Sequence, residues 1–98
     1  MKIVMKKYGK ALATRSSGRT AYKDIMRDSN NLAEDVVFDF EDVNVVTNSF
    51  ADEVFGRIAY EVGLTRMREV TTFRNVSPTW AVVIRHAIDV RELDRTEA

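Results

Sequence analysis

Residues 36–56 read VVFDFEDVNVVTNSFADEVFG and predict a buried strand, a polar loop and a helix in succession. The strand is indicated by the apolar residues Val36, Val37, Phe38 and Phe40, which enclose a single acid, Asp39. Apolar runs without strict alternation are typical of parallel strands that are covered on both faces. We therefore expect residues 36–40 to form the central strand of an α/β sheet.

The helix after the loop is marked at its start by polar side chains. Ser49 is predicted to be its N-cap, because a hydroxyl there can accept a hydrogen bond from an unpaired backbone amide. Asp52 and Glu53 would then complement the helix dipole in the first turn. A polar loop and a helix start just beyond the carboxyl end of a strand, where α/β proteins place their functional sites. The apolar residues of this helix fall on one face, at Ala51, Val54, Phe55, Ile58 and Val62.

The flanking sequence predicts two more strand and helix pairs. Residues 2–7 are predicted as a first strand, and residues 19–28 carry an apolar stripe at helical spacing. Residues 68–75 are predicted as a third strand. Ser77 and Pro78 then indicate the start of a last helix, because proline is favoured at the first helical position.

The order β-α-β-α-β-α predicts a small α/β fold in one domain over residues 1–98, with a mixed or mainly parallel sheet packed against helices. A short extra strand is compatible with residues 11–13. The charged residues 91–98 are expected to fray from the end of the last helix.

Composition excludes several classes of protein. The chain has 98 residues, of which 45% are hydrophobic and 31% are charged, as in ordinary soluble domains. The absence of cysteine excludes disulfides, thiolate metal sites and cysteine nucleophiles. No apolar run approaches the ~20 residues that span a bilayer, and the N-terminus does not resemble a signal peptide. We therefore expect a cytoplasmic protein that does not enter the membrane.

Charge is unevenly distributed along a chain whose net charge is zero. Residues 1–27 carry a net charge of +7, and residues 28–61 carry a net charge of −8. The two segments could neutralise each other within the fold or across a homodimer, or one of them could contact a protein partner. Alternatively, a nucleic acid could bind the basic side of the first predicted helix, at Arg19, Lys23 and Arg27.

Two motifs in the central stretch resemble a known family. They are Asp39-Phe40-Glu41 in the strand and the sequence SFADE at residues 49–53. A weaker match precedes the first helix, where Thr14 and Arg15 are followed by Gly18. Together these motifs resemble a STAS-like family of unknown function, related to the STAS domains of sulfate transporters and bacterial anti-sigma-factor antagonists. The resemblance extends over about residues 3–90 and implies the STAS-like α/β fold predicted above.

This resemblance implies a regulatory protein-interaction module that is not an enzyme and needs no cofactor. The antagonists bind ATPases of the histidine-kinase type, so the expected partner is a protein of that kind. The implied partner-binding residues lie on the loops that leave the carboxyl ends of the strands, at Arg15, Gly18, Asp42, Asn44, Thr47, Asn48, Ser49, Asp52 and Glu53.

The resemblance also implies regulation by phosphorylation. In the antagonists, a serine at this junction of strand, loop and helix is phosphorylated by the partner kinase, and the added charge separates the complex. When the sequences are aligned through Gly56 and Arg57, Asn48 occupies that serine's position and cannot accept a phosphate. Ser49 is then the candidate acceptor, with Thr47 as a second. The alternative is that Ser49 acts only as a helix cap.

Asp39 is the other residue that calls for an explanation. An acid inside an apolar strand is costly to bury unless it is paired or hydrogen-bonded. We expect a structural carboxylate that binds loop amides or Arg15. Catalysis or metal binding by Asp39 would need a second acid, a histidine or a metal close by. The only histidine, His86, lies far away in sequence and belongs to no recognisable catalytic motif, so the sequence predicts neither a catalytic residue nor a metal site.

Overall fold

The computed structural model describes residues 1–97 and has a three-stranded parallel sheet at its centre. The strands of the chain are β1 (Lys2–Val4), β2 (Ala11–Leu12), β3 (Val36–Asp39), β4 (Val45–Val46) and β5 (Thr71–Arg74). The central sheet has the order β1-β3-β5, and β2 pairs with β4 in a second, two-stranded parallel sheet. The predicted α/β class and the central position of residues 36–39 are confirmed, as is the short strand near residues 11–13.

Five α-helices accompany these strands within residues 1–97. They are α1 (Arg15–Asp28), α2 (Asn48–Ala51), α3 (Arg57–Val62), α4 (Leu64–Val70) and α5 (Pro78–Glu97). A π-helical turn, Asp52–Gly56, joins α2 to α3, so residues 48–62 form one continuous helical segment. A 3-10 turn, Met5–Tyr8, follows β1. No helix within residues 1–97 is both long and apolar enough to cross a membrane.

One face of the central sheet carries the core. Ile3, Phe38 and Phe73 lie in register across the three strands. The ring of Phe55, from the π-helical turn, packs over this row, with its centroid 5.1 Å from Phe38 and 5.3 Å from Phe73. The ring of Phe40 packs 5.9 Å from Phe55. These aromatic contacts fix the segment of residues 48–62 on the sheet.

The other face of the sheet is open, so the expectation of a strand covered on both faces is wrong. Val4, Asp39 and Arg74 lie in register there, and both Val4 and Arg74 are exposed. Because side chains alternate along a strand, Phe38 and Phe40 face the helices and Asp39 must point away from them.

Several helices and strands begin or end at other residues than predicted, because buried side chains determine where these elements stop. Residues 68–70 belong to α4 and not to the third strand, since Met67 and Val70 are buried three residues apart on one helical face. The first strand ends at Val4, because the chain turns to bury Met5. The first helix begins at Arg15, four residues earlier than predicted, and Thr14 caps it by accepting a hydrogen bond from the Ser17 amide at 3.1 Å.

Residues 91–97, which were predicted to fray, belong to α5 in the structure. Arg91 binds the Asp52 carboxylate, and Arg95 donates a hydrogen bond of 3.0 Å to the Tyr60 carbonyl. These contacts hold the last turns of α5 against the segment of residues 48–62. Ala98 lies outside the described residues.

The basic segment, residues 1–27, forms ion pairs with the acidic segment, residues 28–61, within the fold. Lys2 pairs with Asp39 at 3.2 Å, and Lys6 pairs with Asp42 at 3.4 Å. Arg15 contacts Asp52 and Glu53 of the second segment as well. Part of the charge asymmetry is therefore neutralised inside one chain.

Phe55 provides a direct test of the core. Its side chain is fully buried among three other phenylalanine rings. Replacing it with alanine should lower the free energy of unfolding by about 3–5 kcal/mol through the cavity left behind. Val82→Ala is the matched control, because Val82 is 69% exposed and its truncation should change stability by less than about 0.5 kcal/mol. Similar urea midpoints for the two variants would contradict this packing.

Candidate functional site

The two-stranded sheet brings the candidate loops together. β2 and β4 are parallel, so the loops that follow Leu12 and Val46 leave the same edge. The Thr47 hydroxyl donates a hydrogen bond of 2.7 Å to the Ala13 carbonyl, and the Thr47 amide donates one of 2.9 Å to the Leu12 carbonyl. We call residues 13–14 and 47–49 the rim. β4 itself was not predicted, although the β-branched residues of the loop were a signal for it.

Thr47 caps the helical segment, and the prediction that Ser49 is the cap is wrong. The Thr47 hydroxyl accepts a hydrogen bond of 3.2 Å from the Phe50 amide, which leaves Asn48 and Ser49 inside the first turn. The cap falls two residues earlier because pairing with β2 holds Thr47 extended at the end of β4. Asn48 is exposed and Ser49 is half-buried on this rim.

The first acid of the SFADE motif joins three helical segments. One Asp52 carboxylate oxygen lies 2.7 Å from the Nε of Arg91, on α5. The other oxygen lies 3.1 Å from a second Arg91 nitrogen and 2.8 Å from a guanidinium nitrogen of Arg15, on α1. Bidentate pairs of arginine and carboxylate are among the strongest polar contacts in proteins. Asp52 is three-quarters buried, so water weakens these contacts less than at an open surface.

Neighbouring charges shift the pKa values of Asp52 and Arg15. The hydrogen bonds from Arg91 outweigh partial burial, and together with Arg15 they hold the pKa of the Asp52 carboxyl below its usual value. Arg15 also approaches Glu53 at 3.2 Å, and Glu53 lies 3.6 Å from Arg57. The hydrogen bond from Arg15 to Asp52 is the main reason why the pKa of Arg15 rises.

Two glycines allow the helices to approach this cluster. A Cβ atom on Gly18 would lie 2.9 Å from the Cβ of Glu53, which is closer than such atoms approach. A Cβ atom on Gly56 would lie 2.8 Å from the Cγ of Arg91 and 3.0 Å from the Ala87 carbonyl oxygen. Glycine at these positions lets α1 and α5 contact the segment of residues 48–62 directly.

Asp39 binds a loop amide, which was one of its two predicted partners, and the other predicted partner, Arg15, is wrong. One Asp39 oxygen accepts hydrogen bonds from the Asn75 side chain at 2.8 Å and the Glu41 amide at 3.0 Å. The other oxygen lies 3.2 Å from the Lys2 ammonium group. The Asn75 hydrogen bond is the largest of these effects, and together they lower the pKa of Asp39. Arg15 cannot take part because it lies on the helical side of the sheet.

The remaining candidates lie in the loop between β3 and β4. Asp42 pairs with Lys6, and the Asn44 amide donates a hydrogen bond of 2.7 Å to the Lys10 carbonyl. The loop therefore contacts the segment between β1 and β2. The structure brings Thr47, Asn48 and Ser49 together on the rim. Arg15, Asp52 and Glu53 form an ion-pair cluster between helices, and Gly18 lies beside Glu53.

Arg91 completes that cluster and was missed by sequence reasoning. It lies 39 residues after Asp52 in a charged stretch that was predicted to fray. The available signal was the spacing of Ala87, Arg91 and Arg95, which fall on one face of a helix. Within residues 1–97, no group of three or more histidine, aspartate or glutamate side chains is placed to hold a metal ion.

A family model described as a STAS-like domain of unknown function matches residues 19–80, more than half of the chain. The chain belongs to this family. No curated protein and no solved structure showed significant similarity to it. The resemblance inferred from the DFE and SFADE motifs is therefore confirmed, and both motifs lie inside the matched residues.

In this STAS-like domain the motif residues have separate tasks. Phe50 and Ala51 are buried, Asp52 and Glu53 bind arginines, and Ser49 stays on the rim. Arg15 and Gly18 lie just before the matched residues, yet both contact the motif acids or their backbone neighbours. The acids of the motif are thus engaged inside the domain.

Asp52 should make stability depend on pH. Asp52→Asn should lower the free energy of unfolding at pH 7 by about 1.5–3 kcal/mol, the range for hydrogen bonds to charged groups. Because folding lowers the pKa of Asp52, its contribution is complete above the unfolded pKa of about 4 and is lost as pH falls through the folded pKa. The difference between wild type and variant should therefore shrink below about pH 4.

Urea denaturation between pH 3 and pH 8 measures this difference. Asp42→Asn is the control, because Asp42 is 64% exposed and its pair with Lys6 should contribute less than about 1 kcal/mol. A constant difference between wild type and Asp52→Asn down to pH 3 would contradict the ion-pair assignment.

Gly18 gives a second test of this contact. In an open helix, replacing glycine with alanine stabilises by roughly 0.5–1 kcal/mol. Here the added methyl group would force α1 away from Glu53, so Gly18→Ala should destabilise by about 1–3 kcal/mol. Ser16→Ala, at an exposed position of the same helix, should stay within about 0.5 kcal/mol of wild type. Stabilisation by Gly18→Ala would show that the two helices are not in close contact.

Proposed function

We propose that this STAS-like domain is a regulatory protein-interaction module without enzymatic activity, which docks a partner on the rim and is switched by phosphorylation of Ser49. The observation that carries the proposal is the difference in hydrogen bonding between the Thr47 and Ser49 hydroxyl groups. The Thr47 hydroxyl both caps the helix and binds the Ala13 carbonyl. The Ser49 hydroxyl forms no hydrogen bond within residues 1–97, so it can be modified without loss of a structural contact.

This difference favours Ser49 over Thr47 as the phosphate acceptor. A phosphate on Thr47 would remove the helix cap, at a cost of about 1 kcal/mol, and would separate the two loops of the rim. Asn48 has no hydroxyl. Of the three residues at the junction, Ser49 is therefore the one whose modification leaves the fold intact.

A phosphate on Ser49 would act chiefly through charge. It adds about −1.5 to −2 charges at pH 7, one turn before Asp52 and Glu53 on the same helical segment. Arg15, which contacts both acids, is half exposed and could turn towards the phosphate. The phosphate would repel an acidic surface on the partner. It would also lose its bound water when the partner docks, which costs free energy. Phosphorylation should therefore weaken binding without unfolding the domain.

The family supports a partner by analogy only. STAS antagonists bind ATPases of the histidine-kinase type, and we propose a partner of that class here. The sequence contains no recognisable motif that combines a catalytic nucleophile with a general base, and this motivates the non-enzymatic assignment. The nucleic-acid alternative is disfavoured, because Arg27 pairs with Asp24 at 3.2 Å and with Asp28 at 2.9 Å, which neutralises part of the basic side of α1.

Affinity purification from the native host, followed by titration calorimetry with the captured ATPase, tests the proposal. Ser49→Ala should bind like wild type, and Ser49→Asp should bind at least tenfold more weakly, or by ~1.4 kcal/mol. Thr65→Asp controls for added charge, because Thr65 is an exposed residue of α4, which packs mainly against α3 and β5 and not against the elements of the rim. This control should bind like wild type.

Two results would overturn the proposal. If Ser49→Asp and Ser49→Ala both bind like wild type, the rim is not the docking surface. If the wild-type protein captures no ATPase while binding DNA in a salt-dependent manner, the basic side of α1 carries the function instead.

A further inference from the structure

A concave surface lies between α4, β5 and α5. It is a groove with a volume of about 600 Å³, within the range of roughly 300–1,000 Å³ that small-molecule sites occupy. β5 is an outer strand of the central sheet, so no further strand within residues 1–97 covers this side. The groove shares no residue with the rim or with the Asp52 ion-pair cluster.

The groove presents apolar and polar surface in similar amounts, and seven of its eleven lining residues are apolar. Met67 and Ile84 are buried and belong to the core. Leu64, Phe73, Val76 and Ile88 are half-buried, so each of them presents apolar surface to the groove. An apolar ligand would remove this surface from water, at roughly 25 cal/mol for each Å² that it covers.

Two arginines line the same groove from opposite sides. Arg68 belongs to α4 and Arg85 belongs to α5, and both are exposed. Neither arginine forms an ion pair within residues 1–97, whereas nearby Arg66 pairs with Glu69 at 3.9 Å. Asp89 is the one acid in the lining, so the ionised side chains of the groove have a net charge of +1.

We propose that the groove binds a small amphipathic anion, an aliphatic chain that ends in a carboxylate. The chain would lie against the half-buried apolar side chains, and Arg68 and Arg85 would bind the carboxylate. A guanidinium group matches a carboxylate through two parallel hydrogen bonds, which favours this head group over a neutral or cationic one. The ligand is a free small molecule and not a membrane surface, because the apolar side chains lie within a concave site.

Decanoate is a suitable probe at concentrations at which it remains monomeric. Titrated into the ¹⁵N-labelled full chain, it should cause saturable changes in the amide chemical shifts of residues that line the groove, such as Leu64, Phe73, Val76 and Ile88. 1-Decanol, which has the same chain without the charge, should bind at least tenfold more weakly, and decylamine should bind more weakly still.

Variants separate the roles of charge and shape. The double variant Arg68→Gln and Arg85→Gln should raise the Kd for decanoate at least tenfold, whereas Arg19→Gln, at an exposed position on α1, should leave the Kd unchanged. Ala81→Phe should fill the groove from the exposed face of α5 and abolish binding. The circular dichroism spectrum and the Tm of this variant should match those of the wild-type protein.

Several outcomes would overturn the proposal. They are an absence of saturable shifts at millimolar decanoate, shifts confined to another surface, and equal affinity for decanoate and 1-decanol. Binding to vesicles of an anionic phospholipid in the absence of decanoate binding would assign the arginines to a membrane contact and would also refute the small-molecule site.

Discussion

The contact on which this domain depends is the Asp52 carboxylate held between Arg15 and Arg91. Its oxygens join the first and last helices to the segment that lies over the central strand. Gly18 and Gly56 make the contact possible, because side chains at these positions would keep the helices apart. Removing the carboxylate would leave the partly buried Arg91 without its ion-pair partner and Arg15 with Glu53 alone, which is more costly than losing one exposed pair.

This constraint explains how one short motif can serve both fold and function. The first acid of SFADE lies inward, near the start of a π-helical turn whose widened hydrogen bonding runs from the Arg57 amide to the Asp52 carbonyl. Such turns are frequent at functional sites, where they direct side chains that a regular helix would place elsewhere. The serine of the motif lies one turn earlier, on the rim beside the loop from β2. The motif therefore joins a fixed interior to the rim, where we propose that a partner docks.

Sequence reasoning succeeded where local signals agreed with the tertiary structure. The apolar run at residues 36–40 identified the central strand, and Ser77 and Pro78 marked the start of α5. It failed where packing overrode propensity. Residues 68–70 have strand-forming neighbours but are helical because Met67 and Val70 share a buried face. Ser16 and Gly18 disfavour a helix locally, yet α1 includes both, because Arg15 and Gly18 contact the segment of residues 48–62.

The candidate site was only partly predictable for the same reason. The SFADE motif pointed to the right helix, but the cap moved from Ser49 to Thr47 through pairing of β4 with β2. No local pattern could link Asp52 to an arginine 39 residues later. The charged end of a helix often contacts only solvent, so the charges at residues 91–98 do not by themselves indicate a partner inside the fold. Contacts of this kind depend on the path of the whole chain.

A double-mutant cycle between Asp52 and Arg91 tests the central claim most directly. The free energies of unfolding of wild type, Asp52→Asn, Arg91→Gln and the double variant would be measured in urea at pH 7. If the carboxylate joins the helices as described, the two substitutions should be coupled by at least about 1 kcal/mol. Additivity within about 0.3–0.5 kcal/mol would contradict the account, because it would show that the two side chains stabilise the domain independently.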